Sequence, residues 1–317
     1  MGLYLAIAII LLAFEYAYFI LAKRLRIVDR PHHQSSHTGV VVRGGGVVFY
    51  FAYLLWFFIS GFQFPMIFAG LSIIALTSFA DDIHSISPKL RMVLQFIAMM
   101  VMLYETQVFN LPFRVMLLLS IACVGTVNIY NFMDGINGMT GGYSLIVLSS
   151  LIYINQTVVE FIDIRLLVYS LIAVIIFICF NFRNRAKCFA GDVGSLSIGF
   201  ILVFLILKLI FKTGHSYWMA LLAVYAVDGG LTIAHRIMLR ENILKPHKKH
   251  AYQIMVNELK MPHLMVSGIY MVFQLVCNVC FIAMPSDGML ILLVAIFSVI
   301  YLLFMKKFYY LHAINKK

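Results

Sequence analysis

Long apolar runs separated by short polar loops limit this chain to one kind of architecture. We find eleven, near residues 2–22, 46–62, 66–80, 92–106, 112–127, 139–154, 165–182, 196–212, 217–235, 263–284 and 288–305. Most approach the ~20 apolar residues that a helix needs to cross a bilayer. Because 63% of the residues are hydrophobic and only 12% are charged, a soluble domain is excluded. The sequence therefore predicts an all-α polytopic membrane protein with about 11 transmembrane helices in one domain, 1–317.

The distribution of basic residues predicts the orientation. Of the 24 Lys and Arg, 20 lie in alternate loops and the C-terminal tail, at 23–45, 81–91, 183–195, 236–262 and 306–317. Because positive charge accumulates on the cytoplasmic side, we expect the N-terminus outside and the C-terminus inside. This arrangement accounts for the net charge of +11 without a nucleic-acid partner. The first run carries Glu15 and has no basic residue before it, so we expect it to remain attached rather than act as a cleaved signal peptide.

The most polar interruption between two apolar runs is NIYNFMDGINGMTGG, residues 128–142. Asn128, Asn131, Asp134 and Asn137 step by three along it, so on a helix they would share one face. A carboxylate among carboxamides is costly against lipid, which indicates a functional site. The alternative is a polar turn that ends one helix and begins the next.

Three further carboxylates also lie where an apolar run meets a polar loop. Asp81 and Asp82 come directly after an apolar run, and Asp192 lies between two glycines before another. Adjacent carboxylates repel each other, so they usually need a cation or a shared proton, although either Asp alone could cap a helix. Lys89 follows the pair in the same loop. The predicted topology puts these carboxylates and Asp134 on the cytoplasmic face, where we expect the site.

Two basic loops offer partners for an anionic substrate. Arg43 precedes three glycines whose backbone could approach another chain segment closely or bind an anion through N–H groups. His247 and His250 are three residues apart in KPHKKHAYQ and could share a helical face. The alternatives are a flexible basic loop on lipid headgroups and a positive-inside anchor.

Together these motifs resemble a known family. DD at 81, NxxNxxDG at 128–135, FxGDxGS at 189–195 and a late basic His loop occur in the order seen in the polyprenyl-phosphate N-acetylhexosamine-1-phosphate transferases of glycosyltransferase family 4. RGGG at 43 and SSH at 35–37 resemble the first cytoplasmic loop of the bacterial branch that initiates O-antigen, teichoic acid or capsule assembly. HKKHAYQ is similar to a loop of the O-antigen-initiating, WbpL-like subgroup.

The resemblance implies a multi-pass enzyme of the inner (plasma) membrane. It would transfer N-acetylhexosamine 1-phosphate from a UDP-sugar to undecaprenyl phosphate at the cytoplasmic face and release UMP. The implied cofactor is Mg²⁺, with Mn²⁺ as a substitute, and a homodimer is compatible with the family.

The resemblance also implies roles for individual residues. Asp192 would bind Mg²⁺, with Asp81 or Asp82 as further ligands, and one of that pair would prepare the lipid phosphate for attack. Asp134 with Asn131 would position the nucleotide sugar. The other implied substrate-binding residues are Arg43, Lys89, Asn137, His247 and His250. Asn137 stands where the family usually has a second Asp, so we expect it to contact the donor by hydrogen bonding and not to bind the metal.

Three alternatives stay open on the sequence. The MurNAc-pentapeptide transferase of peptidoglycan synthesis would be expected to carry three consecutive His in its last large cytoplasmic loop, and KPHKKH lacks them. A transporter would place ionisable groups near the membrane midplane, and only Asp228 does so. A catalytically dead scaffold is permitted by Asn137 alone. We expect Asp228 to line the site or to pair with Arg236 or His235.

Overall fold

The computed structural model describes residues 2–29, 40–106, 108–242 and 247–309. Within those residues it contains twelve α-helices, two 3-10 helices (Val108–Asn110 and Ser216–Leu222) and two short strands, β1 (Val28–Asp29) and β2 (Val41–Val42). The helices are α1 Gly2–Arg24, α2 Val47–Ile59, α3 Pro65–Ile83, α4 Pro88–Glu105, α5 Phe113–Phe132, α6 Met139–Thr157, α7 Ile164–Asn181, α8 Gly191–Thr213, α9 Ala223–Met238, α10 Ala251–Asn257, α11 His263–Ala283 and α12 Asp287–Lys306. The predicted all-α class is therefore confirmed.

A helix stands at each of the eleven predicted spans, and α10 is a twelfth that the sequence did not predict. Among the described residues, eight segments are long and apolar enough to cross a membrane: α1, α3, α5, α7, α8, Ser216–Met238, α11 and α12. α2 has only 13 residues, about 20 Å at the usual helical rise, so it falls short of the hydrocarbon thickness. Eight candidate spans are thus supported, and membrane crossing by α2, α4 and α6 stays a prediction.

Helix α8 forms the centre of the bundle. In its apolar span, 89% of residues are buried against other helices, compared with 17% in α12. Both α3 and α5 pack along α8. As a result, the C-terminal ends of α3 and α5 meet the N-terminal end of α8, and the motifs carried on those ends come together.

The glycine-rich segment before α2 is fixed on the loop before α8. β2 pairs with β1, and Val42 also bridges to Cys188. The N–H groups of Gly45 and Gly46 donate to the carbonyls of residues 189 and 190, at 2.9 and 3.1 Å. A side chain on Gly46 would collide with the backbone of Gly194. The predicted close backbone approach is confirmed, whereas anion binding by the N–H groups of Gly45 and Gly46 is wrong because both already donate within the chain.

The segment Ser216–Met238 is interrupted where its 3-10 turn meets α9. Such a break at membrane depth leaves backbone groups that water cannot reach. Gln274 of α11 satisfies them, because its Oε1 accepts from Val224 N at 3.1 Å and its Nε2 donates to Ala220 O at 3.2 Å. The Tyr143 hydroxyl also donates to Gln274 Oε1, at 2.5 Å. One side chain thus bridges the broken helix.

Candidate active site

Asp82 caps the N-terminus of α8. Its carboxylate accepts from Asp192 N at 3.2 Å and from Val193 N at 3.1 Å, and it pairs with Arg43 Nε at 2.7 Å. The Asp82 side chain is 0% exposed. Gly191 has a φ of +71°, and a side chain there would meet the Asp82 carboxylate. Asp82 therefore holds the backbone that carries Asp192.

Arg91 joins the other two carboxylates. Its Nη1 atom contacts Asp192 Oδ2 at 2.7 Å and also contacts Asp81 Oδ2. Asp81 Oδ1 in turn accepts from Ile86 N at 2.6 Å. One nitrogen that contacts both carboxylates shows that their oxygens lie close enough to share a single cation. Arg91, which we did not single out from the sequence, contacts the carboxylates, whereas Lys89 is exposed and its substrate-binding role stays a prediction.

The polar stretch 128–138 divides between a helix and a loop. α5 ends at Phe132, so only Asn128 and Asn131 share a helical face, and the prediction of one face for all four polar residues is wrong. Asn128 donates to Gln95 of α4 at 3.0 Å, away from the carboxylates. Asn131 Oδ1 accepts from Ser195 Oγ at 2.6 Å, which ties α5 to the first turn of α8.

Asp134 lies in the loop after α5. Thr140 donates to its carboxylate at 2.6 Å. The pKa of Asp134 is raised to about 7, chiefly by burial; the Thr140 hydrogen bond opposes this rise, and the negative charges of Asp192 and Asp82 contribute to it. Asp134 is therefore a group that can exchange a proton near neutral pH.

Asn137 joins three segments of backbone. Its Nδ2 donates to Arg183 O at 2.8 Å and to Asn184 O at 3.4 Å, and its own carbonyl accepts from Ser267 Oγ at 2.8 Å. The side chain is 5% exposed. Its amide nitrogen is thus used within the protein, and the predicted hydrogen bond from Asn137 to the donor stays a prediction.

A cavity of about 430 Å³ opens between these elements. Five predicted site residues line it: Arg43, Asn131, Asp134, Asn137 and Asp192. Asp29 and His263, which the sequence analysis did not single out, line it as well. The volume falls in the range of small-molecule sites, and a lining with three carboxylates and one Arg would accept a phosphorylated ligand together with a cation.

The basic His loop packs beside this site, and its two His residues differ in burial and in hydrogen bonding. His250 is 1% exposed, and its Nδ1 lies 3.2 Å from Asp228 Oδ1. The His247 ring lies 4.9 Å from the His250 ring. The pKa of His247 is lowered to about 3, chiefly by burial and in part by the neighbouring His250, Arg236 and Lys249. His247 is therefore neutral at physiological pH and would contact a phosphate through a hydrogen bond rather than a charge.

The His loop is connected directly to the loop after α5. The Tyr252 hydroxyl donates to Phe132 O at 2.8 Å, and a side chain on Gly135 would collide with the Tyr252 ring. The predicted pairing of Asp228 is wrong: it contacts His250, whereas Arg236 contacts Glu241 at 3.2 Å and a backbone carbonyl. The SSH motif at 35–37 lies outside the described residues.

Comparison with known proteins agrees with the motifs. The model of Glycosyl transferase family 4 matches residues 64–210, which carry all four candidate carboxylates. A probable undecaprenyl-phosphate N-acetylglucosaminyl 1-phosphate transferase of Bacillus subtilis is 26% identical over 257 residues, covering 73% of this chain and 70% of the relative. The undecaprenyl-phosphate alpha-N-acetylglucosaminyl 1-phosphate transferase of Escherichia coli K12 is 25% identical over 266 residues, covering 74% and 70%. The protein of the same description in Yersinia pestis is 25% identical, covering 77% and 74%.

These matches bear out the resemblance read from the motifs, without singling out a subgroup. The chain is thus similar to Glycosyl transferase family 4 over residues 64–210 and, over about three quarters of its length, to undecaprenyl-phosphate N-acetylglucosaminyl 1-phosphate transferases.

Proposed function

We propose that this protein transfers N-acetylglucosamine 1-phosphate from UDP-N-acetylglucosamine to undecaprenyl phosphate, giving undecaprenyl-diphosphate-N-acetylglucosamine and UMP. The relatives' names favour this sugar and this lipid, and the product would begin the assembly of a surface polysaccharide. The observation that carries the proposal is the meeting of Asp81, Asp192 and Arg91 beside a cavity lined by Arg43 and Asp134. Within this function, we assign the chain to the O-antigen-initiating subgroup on the HKKHAYQ loop alone.

The carboxylates fit a magnesium ion. Mg²⁺ is usually held by one or two carboxylates and keeps its remaining positions for water and substrate phosphates. Asp192 and Asp81 offer this donor set, since one Arg91 nitrogen already contacts both. Asp82 fits poorly because two N–H groups and Arg43 surround its buried carboxylate. When bound, Mg²⁺ or Mn²⁺ would neutralise charge on the diphosphate and on the departing UMP.

The protein's own residues would bind and align the two phosphates. Arg43 is 41% exposed on its side chain and lines the cavity, so its guanidinium can contact phosphate oxygens. The bond from Ser195 fixes the Asn131 amide, which leaves Asn131 Nδ2 as a donor for the nucleotide sugar. Such a reaction depends mainly on alignment and charge neutralisation, because a phosphate nucleophile needs little activation.

Asp134 would take the remaining proton of the lipid phosphate. A phosphate monoester has a second pKa of about 6, which is close to the raised pKa of Asp134 at about 7. A proton can therefore pass from the acceptor oxygen to the Asp134 carboxylate without a large cost. This replaces Asp82 in that role, since Asp82 is occupied as a helix cap.

We further propose that the site faces the cytoplasm. This orientation is supported by the distribution of Lys and Arg, because 20 of the 24 lie in the C-terminal tail and in the loops at the end of the bundle that carries the site. Single Cys residues at Ser85 and Lys260, in a background without reactive thiols, should be protected from an impermeant reagent added from the periplasmic side. Labelling of either from that side contradicts the orientation.

The function is tested by UMP release in membranes that contain undecaprenyl phosphate. Purified protein should release UMP from UDP-N-acetylglucosamine and far less from UDP-MurNAc-pentapeptide, which represents the peptidoglycan alternative. Asp192→Asn should retain less than about a tenth of the wild-type rate, a loss of ~1.4 kcal/mol or more in transition-state stabilisation. Absence of lipid-dependent UMP release with every UDP-sugar in the panel would remove the proposal.

A further inference from the structure

Asp228 is a buried carboxylate at the centre of its own hydrogen-bond network. It lies in α9 and is 3% exposed. Its Oδ1 accepts from Thr232 Oγ1, His250 Nδ1 and Ala251 N, each at 3.2 Å, and its Oδ2 accepts from the Tyr270 hydroxyl at 2.5 Å. Four donors fill the acceptor capacity of a carboxylate. Such complete satisfaction is what a buried charge needs, and it keeps the His250 ring in one orientation.

The other nitrogen of His250 contrasts with Nδ1, because it makes no hydrogen bond to any residue that the structure describes. Among the described residues, Nε2 is buried from solvent and makes no hydrogen bond. A buried polar atom without a partner is costly and calls for an explanation. A carboxylate oxygen can only accept, so a hydrogen bond between Asp228 and Nδ1 requires the proton on Nδ1. Two rings that are themselves partly exposed lie near the His250 ring, the half-buried His247 at 4.9 Å and Phe132, which is 37% exposed, at 6.3 Å between centroids.

The position of this ring relates it to the candidate site. His250 lies 6.3 Å between ring centroids from Phe132, the last residue of α5, and Asp134 follows two residues later. Tyr252, two residues after His250, donates to the Phe132 carbonyl. His250 therefore lies beside the end of α5, where the loop that carries Asp134 begins.

We propose that Asp228 is a positioning residue that acts through His250, fixing its ring so that Nε2 binds a phosphoryl oxygen of the substrate. This rests on the proposed transferase function. Asp228 would not touch substrate itself, and its whole effect on turnover would pass through His250. The unpartnered nitrogen is then the atom for which bound substrate supplies the missing partner.

The ring state is tested by nitrogen NMR of ¹⁵N-histidine-labelled protein in lipid bilayers. The His250 signals are assigned as those that disappear in His250→Gln. In wild-type protein Nδ1 should be protonated, and Nε2 should shift when inorganic pyrophosphate is added with Mg²⁺. A wild-type spectrum with a bare Nδ1, or an Nε2 that does not respond to pyrophosphate, overturns the proposal. This measurement needs no variant of Asp228 and no turnover.

The coupling is tested by a double-mutant cycle on kcat/KM for UMP release. Asp228→Asn should lower kcat/KM by about tenfold in the wild-type background, the effect expected when one hydrogen bond to the substrate is removed. In the His250→Gln background, Asp228→Asn should lower kcat/KM by less than about a further twofold. A further tenfold decrease there means that Asp228 acts independently of His250, and the proposal fails.

Tyr301→Phe is the matched control, because Tyr301 contacts Thr232 at 2.7 Å and so perturbs the same buried network without touching His250. It should leave kcat/KM within about twofold of wild type even where it lowers thermal stability. If it slows turnover as much as Asp228→Asn, the role is merely structural. If wild-type protein releases no UMP, the transferase function fails, and the ring state is still decided by the spectrum.

Discussion

Replacing Asp82 by Asn should damage the fold more than any other neutralising change in the site. The Asp82 carboxylate receives two backbone N–H groups of α8 and the Arg43 guanidinium. The carboxamide keeps one oxygen acceptor and turns an NH₂ group toward the remaining donors. One buried N–H is then left without a partner, and the charge on Arg43 loses its counter-ion.

The cost can be summed from these interactions. An unsatisfied buried N–H costs ~1–3 kcal/mol. The ion pair contributes about 1 kcal/mol once solvent screening is allowed for, because the Arg43 side chain is 41% exposed. The destabilisation is therefore roughly 3 kcal/mol, which lowers Tm by roughly 3–6 °C in a chain of this size. Asp81→Asn should cost only about 1 kcal/mol, because its partner Arg91 is 30% exposed.

Thermal unfolding of the two variants and wild type in the same detergent measures the difference. Intrinsic fluorescence and loss of monodisperse protein should give the same order, with Asp82→Asn well below Asp81→Asn. Equal Tm values for the two variants would refute the capping role. A normal Tm for Asp82→Asn with abolished activity would instead return Asp82 to the chemical step.

Three further outcomes follow from the geometry of the site. Arg91→Met should tighten Mn²⁺ binding, measured by electron paramagnetic resonance without substrate, because a competing cation leaves the two carboxylates; weaker Mn²⁺ binding contradicts this. Thr140→Val removes a hydrogen bond that stabilises the Asp134 carboxylate, so the pKa of Asp134 should rise further above its usual range. The acidic limb of the pH profile of UMP release should then move to higher pH, and a limb that stays in place refutes the role of Asp134 as the proton acceptor. Asn137→Asp should lower Tm more than Asn137→Ala, because a carboxylate would face the Arg183 carbonyl, while the half-saturating Mg²⁺ stays unchanged; a tenfold shift in Mg²⁺ would put residue 137 in the metal's coordination shell.

The sequence predicted the convergence of the loops because that depends on the order of helices and on charge. Alternate apolar runs place every second loop on one face, which brought Asp82, Asp134 and Asp192 to one end of the bundle. The close backbone approach at Gly46 was also predicted correctly, because glycine lacks the side chain that would keep two backbone segments apart. These features follow from hydrophobicity and residue size without knowledge of packing.

The roles of individual residues depend on the direction in which each side chain points, and the sequence motifs do not give that direction. Neighbours on a helix point about 100° apart, so Asp81 reaches Arg91 while Asp82 turns into α8. Lys89 and Arg91 are two residues apart and face opposite sides of α4. α10 was missed because its seven residues carry no long apolar run.

The bridge that Gln274 makes across the interrupted helix implies an order of biogenesis. The Val224 N–H that it satisfies is synthesised 50 residues before it, so a growing chain carries the break before its partner exists. Exposed peptide groups cost several kcal/mol each in hydrocarbon, roughly, which disfavours release of this segment into lipid on its own. A nascent chain stopped before residue 263 should therefore insert the segment inefficiently in a glycosylation-mapping assay. The segment would wait beside the insertion machinery until α11 emerges, and the two would enter the bilayer as a pair.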